Sequence, residues 1–290
     1  MVERAQAVRE QIMALEEGRA FVDLSGMRKI LVAGDDAERW LNDLLTAGLA
    51  DLRVGDARRS LLLTPTGRIR ADLHVARTFA GFLLLQDGRQ PHPVQELLAP
   101  YVLSSAVSLS DRTDGLAVLA APDLPVEAEA ERFRPSPLEW GVGLVVNEAR
   151  RGEIAAALRS TAIFEASPDA VEVRRIRLGR PRFPGDLDQD SLPAEGNLER
   201  LIDLLKGCFL GQESIAKVRN LGHPPRAVVR LRADAPVAHG DTVISGDQQT
   251  GKITSAVTEN GGWAVLARVR WEDRDGDLRT STGIYLHHLD

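Results

Sequence analysis

Lys206-Gly207-Cys208-Phe209-Leu210-Gly211-Gln212-Glu213, followed at once by Ser214-Ile215-Ala216-Lys217-Val218-Arg219, is the stretch on which the reading of this chain turns. Glycines close on either side of the chain's one cysteine let the backbone turn tightly and approach a ligand. The residues after Glu213 have a helical spacing. A helix N-terminus and the Lys206 ammonium both favour a thiolate on Cys208. A plainer reading stays open, in which Cys208 is a small buried hydrophobe and the glycines only serve a turn.

Working outward, Leu192-Pro193-Ala194-Glu195 and Asn197-Leu198 precede this stretch, and Leu221-Gly222 and Arg226 follow it. Nearer the start stand Val22-Asp23-Leu24-Ser25, then Ile30 to Gly34 with Asp35, then Leu63-Thr64-Pro65-Thr66-Gly67-Arg68-Ile69. Together these segments resemble the YgfZ family of folate-binding proteins, in the superfamily of the glycine-cleavage T-protein, an aminomethyltransferase. The signature K-G-C-[FY]-x-G-Q-E is matched at all six of its fixed positions, and the resemblance extends over nearly the whole chain.

The resemblance implies an α+β, three-lobed aminomethyltransferase-like fold around a central opening that holds tetrahydrofolate or a one-carbon or polyglutamylated derivative, with Cys208 near its mouth. It makes Cys208 and Lys206 the reactive pair. It makes Glu195, Arg177, Thr46, Gly207, Gly211, Gln212 and Glu213 the candidates for folate contact. Glu195 suits the amino-pyrimidine edge of a pterin, or is a carboxylate on a surface turn. Arg174, Arg175, Arg177, Arg180 and Arg182 crowd one segment of an acidic chain. Guanidinium groups grip carboxylates in bidentate fashion, so the cluster suits a folate's glutamate tail, or is a solvated face.

The chain departs from the T-protein pattern at three places. The stretch Leu85-Gln86-Asp87-Gly88-Arg89-Gln90-Pro91-His92-Pro93 has no carboxylate where a T-protein carries its catalytic Asp. The usual Thr-Asn-Asp has become Thr46-Ala47-Gly48, and R-x-E-x-G has become Arg177-Leu178-Gly179-Arg180-Pro181.

Composition narrows the function further. A net charge of −6 argues against sequence-independent nucleic-acid binding, which needs a field of Lys and Arg to displace counterions. No run approaches the ~18 apolar residues of a membrane helix, and the mixed charges of the first twenty residues do not suit a signal peptide, so the protein reads as cytoplasmic. One cysteine excludes an internal disulfide, an all-thiolate zinc site and a standard iron–sulfur cluster on this chain. The histidines lack helical metal-ligand pairing, so no metal is expected.

Val2, Ala5, Val8, Ile12 and Leu15 predict an amphipathic opening helix. Short apolar runs split by Gly and Pro predict strands, with helices over Asp36 to Leu45 and Val94 to Leu103. A Pro- and acid-rich stretch, residues 120–141, reads as a surface loop or minor helix. After His223-Pro224-Pro225 the pattern turns to strands only: Val228 to Leu231, Thr242 to Ile244, Lys252 to Val257, Trp263 to Trp271 and Thr280 to Leu286. The period of two over Trp263 to Trp271 predicts one buried face. The expected domains are therefore a folate-binding α+β region over residues 1–225, of two lobes whose internal boundary the sequence does not fix, and a C-terminal β-barrel over 226–290.

These readings lead to a tetrahydrofolate-binding protein that supports iron–sulfur cluster assembly or repair in client proteins, and thereby tRNA modification, through Cys208. The alternatives are a folate-dependent aminomethyltransferase or demethylase, with Asp87 as the nearby base, and a non-enzymatic folate sensor or scaffold. A cysteine hydrolase pairing Cys208 with His223 is the weakest reading, since a histidine before Pro-Pro more often shapes a loop. The sequence leaves open whether the protein is an enzyme; if it is, the resemblance implies a one-carbon transferase.

Overall fold

The run Gly81–Gln86 carries four large apolar residues in succession, Phe82 to Leu85, and all are buried. Continuous burial along a strand requires cover on both faces of its sheet. Phe82 and Leu84 pack with Leu41, Leu44, Val94 and Leu98, whereas Leu83 and Leu85 pack with Val118, Phe133 and Val145.

The computed structural model describes residues 2–103, 105–123, 130–161, 163–259 and 261–289. The chain opens with α1 (Val2–Glu16), β1 (Ala20–Asp23), β2 (Arg28–Ala33), α2 (Ala37–Leu44), β3 (Ala57–Leu63), β4 (Ile69–Thr78), β5 (Gly81–Gln86) and α3 (Val94–Leu98). It continues through β6 (Ser108–Asp111), β7 (Leu116–Ala121), β8 (Glu131–Phe133), β9 (Val142–Asn147), α4 (Arg151–Ser160), β10 (Phe164–Glu165) and α5 (Pro168–Arg177). After α6 (Gln212–Leu221) come β11 (Arg226–Ala233), β12 (Thr242–Ser245), β13 (Gln248–Glu259), β14 (Gly262–Arg270), β15 (Leu278–Thr280) and β16 (Tyr285–His288).

The chain divides into two compact units: Met1–Leu63, Arg70–Pro168 and Leu201–Leu210 form one, and Thr64–Ile69, Asp169–Arg200 and Gly211–Asp290 the other. The first unit holds two five-stranded sheets, in the orders β3-β4-β5-β2-β6 and β10-β1-β7-β9-β8. β1 runs parallel to β10 and antiparallel to β7. The second unit holds a closed barrel, β11-β14-β13-β12-β15-β16, so the α+β fold with a C-terminal barrel is as expected.

Local chemistry adjusts several boundaries. The helix expected to reach Leu103 stops at Leu98 and passes into a 3-10 turn over Ala99–Tyr101, because Pro100 cannot donate the next helical hydrogen bond. The strand expected over Thr280 to Leu286 is two strands, β15 and β16, joined by a turn in which the Gly283 N–H donates to the Thr280 carbonyl at 2.9 Å. Trp271 leaves β14 and opens a 3-10 turn. Of the acid-rich stretch, Leu124 to Glu129 lies outside the described residues, and Glu131–Phe133 is strand β8 rather than loop or helix. A side chain at Gly143, on the neighbouring strand, would come within 2.0 Å of the Phe133 ring.

β14 does not have the single buried face that its alternation predicted. Val265, Ala267 and Val269 fill the barrel interior, and Ala264 and Leu266 are buried against Ile176 of α5. Arg268, on that second face, is 6% exposed.

Candidate functional site

In the first unit, Thr46 anchors the segment that carries the cysteine. Its buried hydroxyl donates to the Leu201 carbonyl at 2.9 Å and accepts from the Leu61 N–H at 2.9 Å. The Asp203 N–H donates to the Thr46 carbonyl at 2.9 Å, and the Leu210 N–H to the Asp43 carbonyl at 3.1 Å. Thr46 therefore acts as a structural pin, and its hydroxyl is already committed on both sides.

Between these anchors the backbone swings outward. Gly207 has φ +108°, a region that only glycine enters readily, and no atom lies within 4 Å of where its Cβ would be. Cys208 is exposed, so its reading as a buried hydrophobe does not hold. Lys206 is half-buried, and its Nζ donates to the Asn42 carbonyl and sits 5.1 Å from the centre of the Phe209 ring. Burial pushes the Lys206 ammonium down to about 8, against the opposing pull of Asp43 and Asp203.

The end of β5 carries an amide, Gln86. Gln86 donates to the His92 carbonyl at 2.9 Å and accepts from the Val94 N–H at 3.0 Å. Pro93 occupies the position just before α3. Asp87 caps its own turn, accepting from the Arg89 N–H at 2.9 Å and from the Arg89 guanidinium at 2.6 Å.

In the second unit Glu195 is 2% exposed. Its Oε2 accepts two bonds from Arg268, from Nε and Nη2, both at 2.8 Å, and its Oε1 accepts, among the described residues, from the Leu192 N–H at 3.2 Å. Arg268 also donates to Asp188 at 2.7 Å. Burial alone would raise the Asp188 carboxyl, but Arg268 and the Ser191 hydroxyl hold it below its usual range. Arg268, Asp188 and Asp186 were not among the residues singled out from the sequence. The signal was present in Arg268 itself, since an arginine within an apolar strand needs buried carboxylates.

Of the clustered arginines, Arg175, Arg177 and Arg182 are engaged with acids of their own unit. Arg175 bridges Glu172 at 2.7 Å and Asp186 at 2.6 Å, and Arg182 reaches Glu172 at 2.8 Å. Burial would raise the Glu172 carboxyl, yet the bonds and charges of Arg175 and Arg182 leave it below its ordinary value. Asp186 also accepts from Thr254 and Ser255, each at 2.7 Å. Arg177 pairs with Glu259. Gly211, with φ +86°, stands at the N-cap of α6, whose first turn carries half-buried Gln212 and exposed Glu213. The Ser214 hydroxyl donates to the Pro65 carbonyl at 2.9 Å, tying the Thr64–Ile69 turn to α6. The His223 ring stacks on Trp271 with centroids 5.4 Å apart.

Thus Thr46, Lys206, Gly207 and Cys208 gather in the first unit, and Arg177, Glu195, Gly211, Gln212 and Glu213 lie in the second. No helix among the described residues is long and apolar enough to cross a membrane.

Residues 2–121 match the GCVT N-terminal domain family. A putative chloroplastic transferase of Arabidopsis thaliana is 27% identical over 274 residues, which is 85% of this chain but 63% of that relative, so the chain spans less than two thirds of the relative's length. An aminomethyltransferase of Chlorobium chlorochromatii is 24% identical over 81% of this chain and 74% of its own length. The glycine cleavage system aminomethyltransferase T from Bartonella henselae shares the fold, with a TM-score of 0.82 over 98% of this chain and 88% of its own, at 20% identity. These matches support the GcvT superfamily and an aminomethyltransferase-like fold.

Proposed function

We propose that this protein binds tetrahydrofolate and supports the assembly or repair of iron–sulfur clusters in client proteins, in the manner of the YgfZ family, with Cys208 as the reacting group. The observation that carries this reading is the Cys208 loop itself: an exposed sulfur whose flanks are fastened to the protein core at Lys206, Phe209 and Leu210. A thiol so held is accessible to another macromolecule, and it suits a mixed disulfide, a persulfide or a temporary bond to iron.

The buried donors and acceptors bear on the folate. Glu195 fits the amino-pyrimidine edge of a pterin, because Arg268 fixes its carboxylate while Oε1 keeps capacity to accept. Thr46 offers no such atom. Arg177 would reach a folate carboxylate only by exchanging Glu259 for it.

The test is complementation. In a strain lacking the protein, Cys208→Ala is expected to fold and to bind folate yet fail to restore iron–sulfur enzyme activity. Equal rescue by mutant and wild type would remove Cys208 from the mechanism.

A second reading, a folate-dependent one-carbon transferase, is favoured by the similarity to proteins named as aminomethyltransferases. Against it stand Gln86 at the end of β5, Pro93 just before α3, and an Asp87 already paired with Arg89. A general base must be within reach of the proton it takes, and among the described residues the carboxylate nearest the end of β5, Asp87, is held by Arg89.

A further inference from the structure

We propose that Lys206 is a positioning residue, whose ammonium clamps the cysteine loop onto the end of α2 instead of acting as a charge on the sulfur. This deepens the reading of Cys208 as the reacting group, on which it rests.

An α-helix leaves its last four carbonyls without partners inside the helix, and the aligned peptide dipoles favour a cation there. The last turn of α2 has no basic residue of its own. Two of those carbonyls are met from the cysteine loop: Asn42 accepts from the Lys206 Nζ, and Asp43 accepts from the Leu210 N–H at 3.1 Å. The Phe209 ring, 7% exposed, lies between these anchors and supplies a face to the ammonium.

The loop therefore alternates. Lys206, Phe209 and Leu210 point inward, while Leu205 (97% exposed), Gly207 and Cys208 stand outward. The direction of Cys208 is set by the inward neighbours that flank it. The Lys206 ammonium is held by a carbonyl and a ring, so removing it should free the loop.

The test uses the full chain carrying Lys206→Met or Lys206→Arg. Hydrogen exchange of the Leu210 amide, bonded to the Asp43 carbonyl, reads the clamp, and the pH profile of Cys208 alkylation by iodoacetamide reads the charge. In Lys206→Met, exchange is expected to quicken about tenfold, the usual worth of one charge-assisted hydrogen bond, with Lys206→Arg restoring most of the protection. The alkylation midpoint is expected to stay within about 0.3 pH of the wild type in both variants if the ammonium serves the Asn42 carbonyl and the Phe209 ring and not the sulfur. A midpoint raised by about one pH unit in Lys206→Met, or exchange unchanged there, would overturn the proposal. Neither readout needs folate or a client protein, so the iron–sulfur reading can fail without moving them, and they can fail without moving it.

Discussion

Acidification should destabilise the first unit through a single imidazole, His74 on β4. Its ring is 4% exposed, its Nε2 lies 2.7 Å from the Pro135 carbonyl, and its Nδ1 has no hydrogen-bond partner among the described residues. Burial pushes its proton affinity down from 6.5 to about 4, with the bond to Pro135 opposing and the Arg59 charge adding to the depression. Between pH 6.5 and 4 the unfolded chain binds a proton at His74 that the folded chain does not, so stability falls as pH falls through that window and levels off below it. The full difference, 6.5 less about 4, corresponds to roughly 3 kcal/mol at 1.36 kcal/mol per pH unit, of which roughly 2 kcal/mol is lost between pH 7 and 5. His74→Gln keeps an N–H for Pro135 and cannot take the proton. Urea unfolding of both proteins at pH 7 and pH 5 is therefore expected to show the wild type losing about 2 kcal/mol more than the variant, since carboxylates common to both cancel. Equal losses in the two proteins would refute the reasoning.

Other substitutions test the remaining anchors. Arg268→Met leaves the Glu195 carboxylate buried without its cation and should cost ~3–5 kcal/mol in urea unfolding, part of which Glu195→Gln in the same chain should recover. Thr46→Val keeps the shape but orphans the Leu61 N–H and the Leu201 carbonyl; a loss of ~1–3 kcal/mol is expected, with faster hydrogen exchange along Leu201 to Leu210. Cys208→Ser removes all labelling by iodoacetamide and should leave the melting temperature unchanged, because the side chain is exposed.

The barrel was readable from residue order because, after Pro225, the pattern runs through strands alone with no α-helix between them. The second buried face of β14 was hidden, since it depends on Ile176 of α5 and on carboxylates at 188 and 195, which local periodicity does not see. The Cys208 loop was readable through Gly207 and Gly211, whose positive φ values match what a tight turn requires. The direction of Lys206 was not readable, because its partner is a backbone carbonyl 164 residues away in sequence, and any residue supplies a carbonyl. Arg175 and Arg182 looked like part of a ligand grip because the acids that engage them, Glu172 on α5 and Asp186 beyond it, are set by helix geometry and loop return.

The central claim is a folate-binding protein that works through a thiol and not through aminomethyl transfer. Calorimetric titration of the pure, reduced protein with tetrahydrofolate, run beside a turnover assay with glycine-derived aminomethyl donors, tests it most directly. Saturable binding without turnover, unchanged in Cys208→Ala, is the predicted result. The absence of binding would contradict the claim, and turnover would hand the site to the transferase reading.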